Sequence, residues 1–126
     1  MPRYDGENAD PPAPVAQVVL RNPATGAQSS PISMLLDTGA DITLIPREAA
    51  AQIGCRPVAT QTLSGFDGSA QAYEEVAVEM IFLGKSFKGQ FLTIGQPTGI
   101  IGRNVLNYLV LTFDGPRLVW EETKSD

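Results

Sequence analysis

The chain has 126 residues with a formal net charge of −5, no histidine and one cysteine. That length supports one domain with one modest core. The counts exclude Ser-His-Asp and Cys-His catalytic sets, His-ligated zinc and any internal disulfide. The acidic balance and the lack of a Lys/Arg cluster argue against a nucleic-acid partner. No apolar run approaches the length of a membrane span, and the first residues carry no signal-peptide core. A soluble, cytoplasmic protein is therefore expected, with carboxylates, hydroxyls, lysines or backbone groups left to perform any chemistry.

In chain order, residues 1–14 are rich in proline and acid, and are expected to form a disordered arm. The domain is expected over 15–121, followed by a polar tail at 122–126. Val15 to Leu20 reads as a β-branched strand ending at the turn cluster Asn22-Pro23-Ala24-Thr25-Gly26. Ile32 to Leu36 and Ile42 to Ile45 are further strands. Pro46 then opens a short helix from Arg47 to Ile53, with Gly54 as its stop. Val58 to Leu63 and Ala70 to Tyr73 flank Ser64-Gly65-Phe66-Asp67-Gly68, a hairpin tip. Val76, Val78 and Met80 mark one face of a half-buried strand, which Gly84-Lys85 turns into Phe87 to Ile94. Ile100-Ile101-Gly102 is a short buried strand, and Asn104 is expected to cap a short helix. Leu111-Thr112-Phe113 and Leu118-Val119-Trp120 form a last hairpin. Many short strands with two short helices predict an all-β fold, a closed or nearly closed barrel.

Chemistry concentrates in Leu35-Leu36-Asp37-Thr38-Gly39-Ala40-Asp41. Two apolar strand residues run into an acid, a hydroxyl and a glycine. An acid at the end of a buried strand is poorly solvated, so its proton affinity is open to tuning. A hydroxyl can brace the loop, and a glycine permits close approach by another chain. Taken alone, Asp-Thr-Gly is also an ordinary turn between strands.

This stretch resembles the active-site loop of the retropepsin-like aspartic proteases, the single-domain relatives of pepsin. A second family motif is matched by Ile100-Ile101-Gly102-Arg103-Asn104 and the helical residues after it. The resemblance runs from about Val15 to Trp120. It implies a retropepsin-like closed acid-protease barrel with a flap hairpin, and an aspartic endopeptidase with no cofactor and no metal. One Asp-Thr-Gly in a chain too short for two lobes implies a homodimer, each subunit giving one Asp37 to the pair. Residue by residue, the resemblance assigns Asp37, Thr38 and Gly39 to the catalytic loop, with Thr38 bracing the two loops across the dimer axis. Ala40, Asp41, Ile42, Ile101 and the flap residues Gly65, Phe66, Asp67 and Gly68 are assigned to the peptide substrate. Gly102, Arg103 and Asn104 support the loop, Arg103 through an ion pair with Asp41.

Plainer readings stand beside these. Asp41 and Arg103 can be unrelated surface charges, and Phe66 part of an exposed turn. Cys55, without a histidine partner, is expected to be a buried or idle thiol. Trp120 suits the core more than an interface. Asp67 departs from the glycine- and isoleucine-rich flap tip of retroviral members. The polar C-terminus departs from their interleaved apolar termini, so the last hairpin is an alternative seat for the dimer. The alternative function is a peptide-binding or dimerisation module of the same fold that does not cut.

Overall fold

The computed structural model describes residues 2–64 and 67–123. Its strands are β1 (Tyr4–Asp5), β2 (Ala13–Arg21), β3 (Ile32–Leu36), β4 (Leu44–Pro46), β5 (Pro57–Ser64), β6 (Ala70–Phe82), β7 (Lys85–Ile94), β8 (Gly99–Ile101), β9 (Leu111–Asp114) and β10 (Val119–Glu122). Two short helices, α1 (Arg47–Gln52) and α2 (Arg103–Leu106), complete it. The main sheet runs β1-β2-β3-β8-β4-β7-β6-β5, and β2 also pairs with β6. That extra pairing closes β2, β3, β8, β4, β7 and β6 into a ring, which removes their free edges. The predicted all-β architecture is the observed one.

Alternation fills the ring. Val18 and Leu20 of β2, Met34 and Leu36 of β3, and Val76, Val78, Met80 and Phe82 of β6 are all buried. Each such side chain contributes roughly 1.5–3 kcal/mol through removal from water. Trp120 caps this core at 1% exposure, with its ring centroid 6.1 Å from that of Phe82. Its indole N–H donates to the Val15 carbonyl at 2.9 Å, so its one polar group is satisfied. Cys55 is buried, and burial pushes its thiol above the ordinary value of 9.0.

Local chemistry accounts for the turns. Gly54 follows α1 at φ +80°, the left-handed conformation that ends a helix, and its N–H donates to the Ala51 carbonyl. The β6–β7 turn sits on Leu83 (φ 54°) and Gly84 (φ 72°), one residue earlier than the predicted Gly84-Lys85. Two positive φ angles match the twist of the flanking strands. β6 is one continuous strand from Ala70 to Phe82, joining two runs that the sequence punctuation separated.

The N-terminal segment departs from expectation. Instead of a disordered arm, residues 2–5 lie against the last hairpin and β2. Arg3 bridges Val119, the Tyr4 N–H donates to the Leu118 carbonyl, and the Trp120 N–H donates to the Pro2 carbonyl. β1 pairs Tyr4 with Pro14 and Asp5 with Ala13. Proline is compatible with an edge strand, and the Asp5 carboxylate accepts from the backbone of Glu7 and Asn8 rather than repelling its neighbours. Composition suggested disorder because the partner strands lie far away in sequence. At the other end β10 extends to Glu122, which pairs with Lys85, so the polar tail begins later than residue 122. Among the described residues no helix is long and apolar enough to cross a membrane.

Candidate active site

The Asp37-Thr38-Gly39 loop leaves β3 beside β8, because β3 and β8 run parallel with Leu36 opposite Ile101. The Asp37 N–H donates to the Ile101 carbonyl at 3.0 Å. Its carboxylate Oδ1 accepts the Gly39 N–H at 2.9 Å. A Cβ added at Gly39 would stand 3.1 Å from that same oxygen, so glycine leaves the carboxylate uncrowded. Thr38 and Gly39 are exposed, and Asp37 is half-buried. The loop therefore holds one carboxylate at the rim of the core, oriented by its own backbone.

The second motif buttresses the first. A Cβ at Gly102 would lie 2.5 Å from the Ile42 carbonyl oxygen and 3.0 Å from that of Ala40. Only glycine allows this approach, since real Cβ atoms do not come so near backbone. The Arg103 N–H donates to the Ala40 carbonyl at 2.9 Å, and its guanidinium donates to the Thr38 carbonyl at 2.6 Å. Among the described residues Arg103 has no ion pair with Asp41, whose carboxylate is exposed; its charge is spent on the loop backbone instead. The ion pair inferred from resemblance is thus replaced by a charge-assisted backbone contact.

Thr43 is the residue that sequence reasoning missed. It is 1% exposed, accepts the Gly102 N–H at 3.0 Å and donates its hydroxyl to Asn104 Oδ1 at 2.7 Å. One hydroxyl thus links the segment just before β4 to Gly102 and Asn104 of the second motif. The signal was present as a β-branched polar residue between Ile42 and Leu44. Asn104 is not the helix cap expected of it. Gly102 holds the N-cap position of α2 without a side-chain bond, and the Asn104 amide faces Thr43.

β5 and β6 form a hairpin with Gln61 opposite Tyr73 and Ser64 opposite Ala70. β5 is exposed along nearly its whole length. Gly65 and Phe66, predicted to touch substrate, lie outside the described residues. At the tip Gly68 has φ +82°, and the Asp67 carboxylate accepts from the Ser69 hydroxyl at 2.6 Å and the Ser69 N–H at 2.9 Å. The Ser69 hydroxyl, and then its N–H, hold the Asp67 carboxyl below its ordinary value of 3.8. Under this hairpin lies a cavity of about 550 Å³, lined by Leu44, Arg47, Tyr73, Thr93, Gln96 and Ile100 among others. Ile101 is fully buried, whereas its neighbour Ile100 is half-buried and lines the cavity. Period-two alternation decides this, once the register is known. Asp37 does not line that cavity. Among the described residues no three His, Cys, Asp or Glu side chains cluster closely enough to hold a metal ion.

The aspartyl protease family profile matches residues 23–105, which span both motifs and most of the strand ring. The chain belongs to the retropepsin-like aspartic proteases. Among solved structures, this aspartyl protease is similar to the EIAV protease complexed with the inhibitor HBY-793. The TM-score is 0.58 at 20% identity, covering 82% of this chain and 91% of that one. It is also similar to the simian foamy virus (mac) protease in solution, with a TM-score of 0.52 at 14% identity over 75% and 92% of the two chains. Identities this low establish the shared fold. Within it, this aspartyl protease brings Asp37, Thr38, Gly39, Ala40, Gly102, Arg103 and Asn104 into one bonded unit. It leaves Asp41 outside that unit and sets Asp67 and Gly68 on the separate hairpin.

Proposed function

We propose that this aspartyl protease is a homodimeric endopeptidase whose active site pairs Asp37 of one subunit with Asp37 of the other. The observation that carries the reading is the loop itself. Hydrogen bonds to Ile101, Gly39 and Arg103 fix the Asp37 loop, and the chain offers a single Asp-Thr-Gly carboxylate. One carboxylate cannot readily serve as both base and acid on the same amide. Two held at hydrogen-bonding distance repel if both ionise, so they share one proton and titrate as a pair.

The reaction then follows the established aspartic-protease scheme. The ionised carboxylate takes a proton from a water while that water's oxygen bonds to the scissile carbonyl carbon. The protonated carboxyl gives its proton to the carbonyl oxygen, leaving a neutral tetrahedral diol. In the second step the carboxyl protonated in the first gives its proton to the amide nitrogen, the other carboxylate takes a proton from a diol hydroxyl as the carbonyl re-forms, and the C–N bond breaks. A carboxylic acid and an amine leave, and the pair is restored with one proton. Gly39 offers its backbone to the peptide, Thr38 braces the two loops across the axis, and Asp41 contacts peptide backbone. The β5–β6 hairpin covers the bound peptide and excludes water.

The test is cleavage of an unfolded protein between about pH 3 and 7, comparing the native chain with Asp37→Asn. Cleavage by the native chain alone supports the proposal. Equal cleavage by both overturns it. Peptide binding without cleavage by either would leave a peptide-binding module of the same fold.

A further inference from the structure

The cavity of about 550 Å³ under the β5–β6 hairpin holds two charged residues in its lining, Arg47 and Glu74. A volume of this order receives part of a ligand rather than a lone water. Arg47 follows directly on β4, so the cation stands on the wall formed by the strand ring. Glu74 belongs to β6 and lies opposite Thr60 in the hairpin ladder. The two do not pair with each other. Among the described residues the Arg47 guanidinium meets no carboxylate at all.

Local packing sets where that charge stands. A Cβ added at Gly95 would lie 3.4 Å from an Arg47 guanidinium nitrogen, so the guanidinium lies where a side chain at 95 would otherwise reach. Gln71 and Gln96 bring amide groups to the same lining, and Leu44 and Ile100 bring apolar surface. Leu44 pairs with Ile100 between β4 and β8. Ile100 precedes Ile101, whose carbonyl accepts the Asp37 N–H. One wall of the cavity is therefore a single residue from the strand position that holds the catalytic loop.

We propose that this cavity takes a glutamate side chain of the peptide and that Arg47 selects it. A guanidinium presents a planar fork of donors that a carboxylate meets with two parallel hydrogen bonds. The amides of Gln71 and Gln96 can donate to the same group, while Leu44 and Ile100 suit its two methylenes. A lysine would have to answer to Glu74 instead. That carboxylate sits on the hairpin that lifts, and a lysine reaching it would enter beside the unpaired Arg47. The wall that stays in place carries positive charge, so an acidic side chain is the one favoured.

The inference rests on the protease reading, and the test keeps the two apart. Fluorescent peptides that differ only in Glu, Gln or Lys at one position, taken in turn on each side of the cut bond, are digested at about pH 6, where glutamate is ionised. Expected is a preference of about tenfold in kcat/KM for Glu over Gln at one position. Arg47→Met should abolish it and Arg47→Glu should turn it into a preference for Lys, while the Gln peptide is cut at similar rates by all three chains. Lowering the pH to about 3.5 should bring the Glu-to-Gln ratio near one, and the ratio cancels the titration of the catalytic pair. A native chain without a Glu preference at any position, or with one that survives Arg47→Met, overturns the inference and spares the protease. A native preference for Lys assigns the cavity to Glu74 and overturns it equally. If no peptide is cut in an Asp37-dependent way, the protease reading falls, and fluorescence anisotropy of the same peptides on the native chain decides the subsite. Tighter binding of Glu than Gln that Arg47→Met removes then upholds it, and equal binding overturns it.

Discussion

The Asp37 loop and the β5–β6 hairpin are built on opposite principles. Five hydrogen bonds from Ile101, Gly102, Arg103 and Thr43 converge on the loop and its support, with a glycine packed against two carbonyls. The hairpin is held by its own ladder, and β5 presents nearly all its side chains to solvent. A segment with few buried apolar contacts opens at lower free-energy cost than one tied into the core. Under the proposed function, a carboxylate that pairs with its twin needs fixed geometry, and a hairpin that covers a peptide needs freedom to lift. The contrast teaches that rigidity here is bought by non-local bonds rather than by local sequence.

The sharpest way to test the contrast is at its chemical centre. Asp37→Asn should lower peptide cleavage about a hundred- to ten-thousandfold while leaving the melting temperature nearly unchanged. A comparable loss in both measurements would mean that Asp37 is a structural residue. Next in size, Gly102→Ala forces a Cβ to within 2.5 Å of the Ile42 carbonyl oxygen. Backbone cannot yield cheaply there, so urea denaturation should show about 3 kcal/mol or more of lost stability, with cleavage lost alongside. Gly68→Ala at the hairpin tip meets no atom within 4 Å but stands at φ +82°, and should cost about 1 kcal/mol.

Smaller effects probe single bonds. Thr43→Val keeps shape but strands the Gly102 N–H, and should cost about 1–3 kcal/mol, whereas Thr43→Ser should recover most of it. On the hairpin, Ser69→Ala removes the hydroxyl that the Asp67 carboxylate accepts from. It should leave the melting temperature unmoved and shift KM by a few-fold if the tip contacts substrate. The least effect belongs to the wall of the ring, where Glu79 is nearly buried beside Ser86, Arg21 and Lys88. The Ser86 hydroxyl first, then Arg21 and Lys88, hold its carboxyl below the ordinary value of 4.5, against the opposing effect of burial. A depressed pKa stabilises the fold above the unfolded value and loses that contribution as pH falls through the folded one. Thermal melts should therefore drop more steeply below about pH 4.5 for the native chain than for Glu79→Gln.

Much of this was legible beforehand. β3 occupies the predicted Ile32–Leu36, and α1 and Gly54 stand where the proline and glycine signals put them. Asp37, Gly102 and Arg103 were singled out, and the structure joins them. The misses share one cause. The N-terminal arm, the Asp41 to Arg103 contact and the role of Asn104 all depend on partners distant in the chain. Thr43 was passed over because a buried hydroxyl looks like any strand threonine until its acceptor is known.

By itself, then, the sequence determined what is local. Strand periodicity, turn residues and the two motifs follow from the chemistry of neighbouring residues, and the lack of histidine leaves any chemistry to carboxylates, hydroxyls, lysines or backbone groups. The tertiary structure decided which strand lies beside which, and hence where each backbone donor finds its acceptor. Only closure of the ring brings Gly102 against Ile42, Thr43 under Gly102, and residues 2–5 along β10. Those contacts couple segments tens of residues apart, where pairing is set by global packing rather than by local conformational preference.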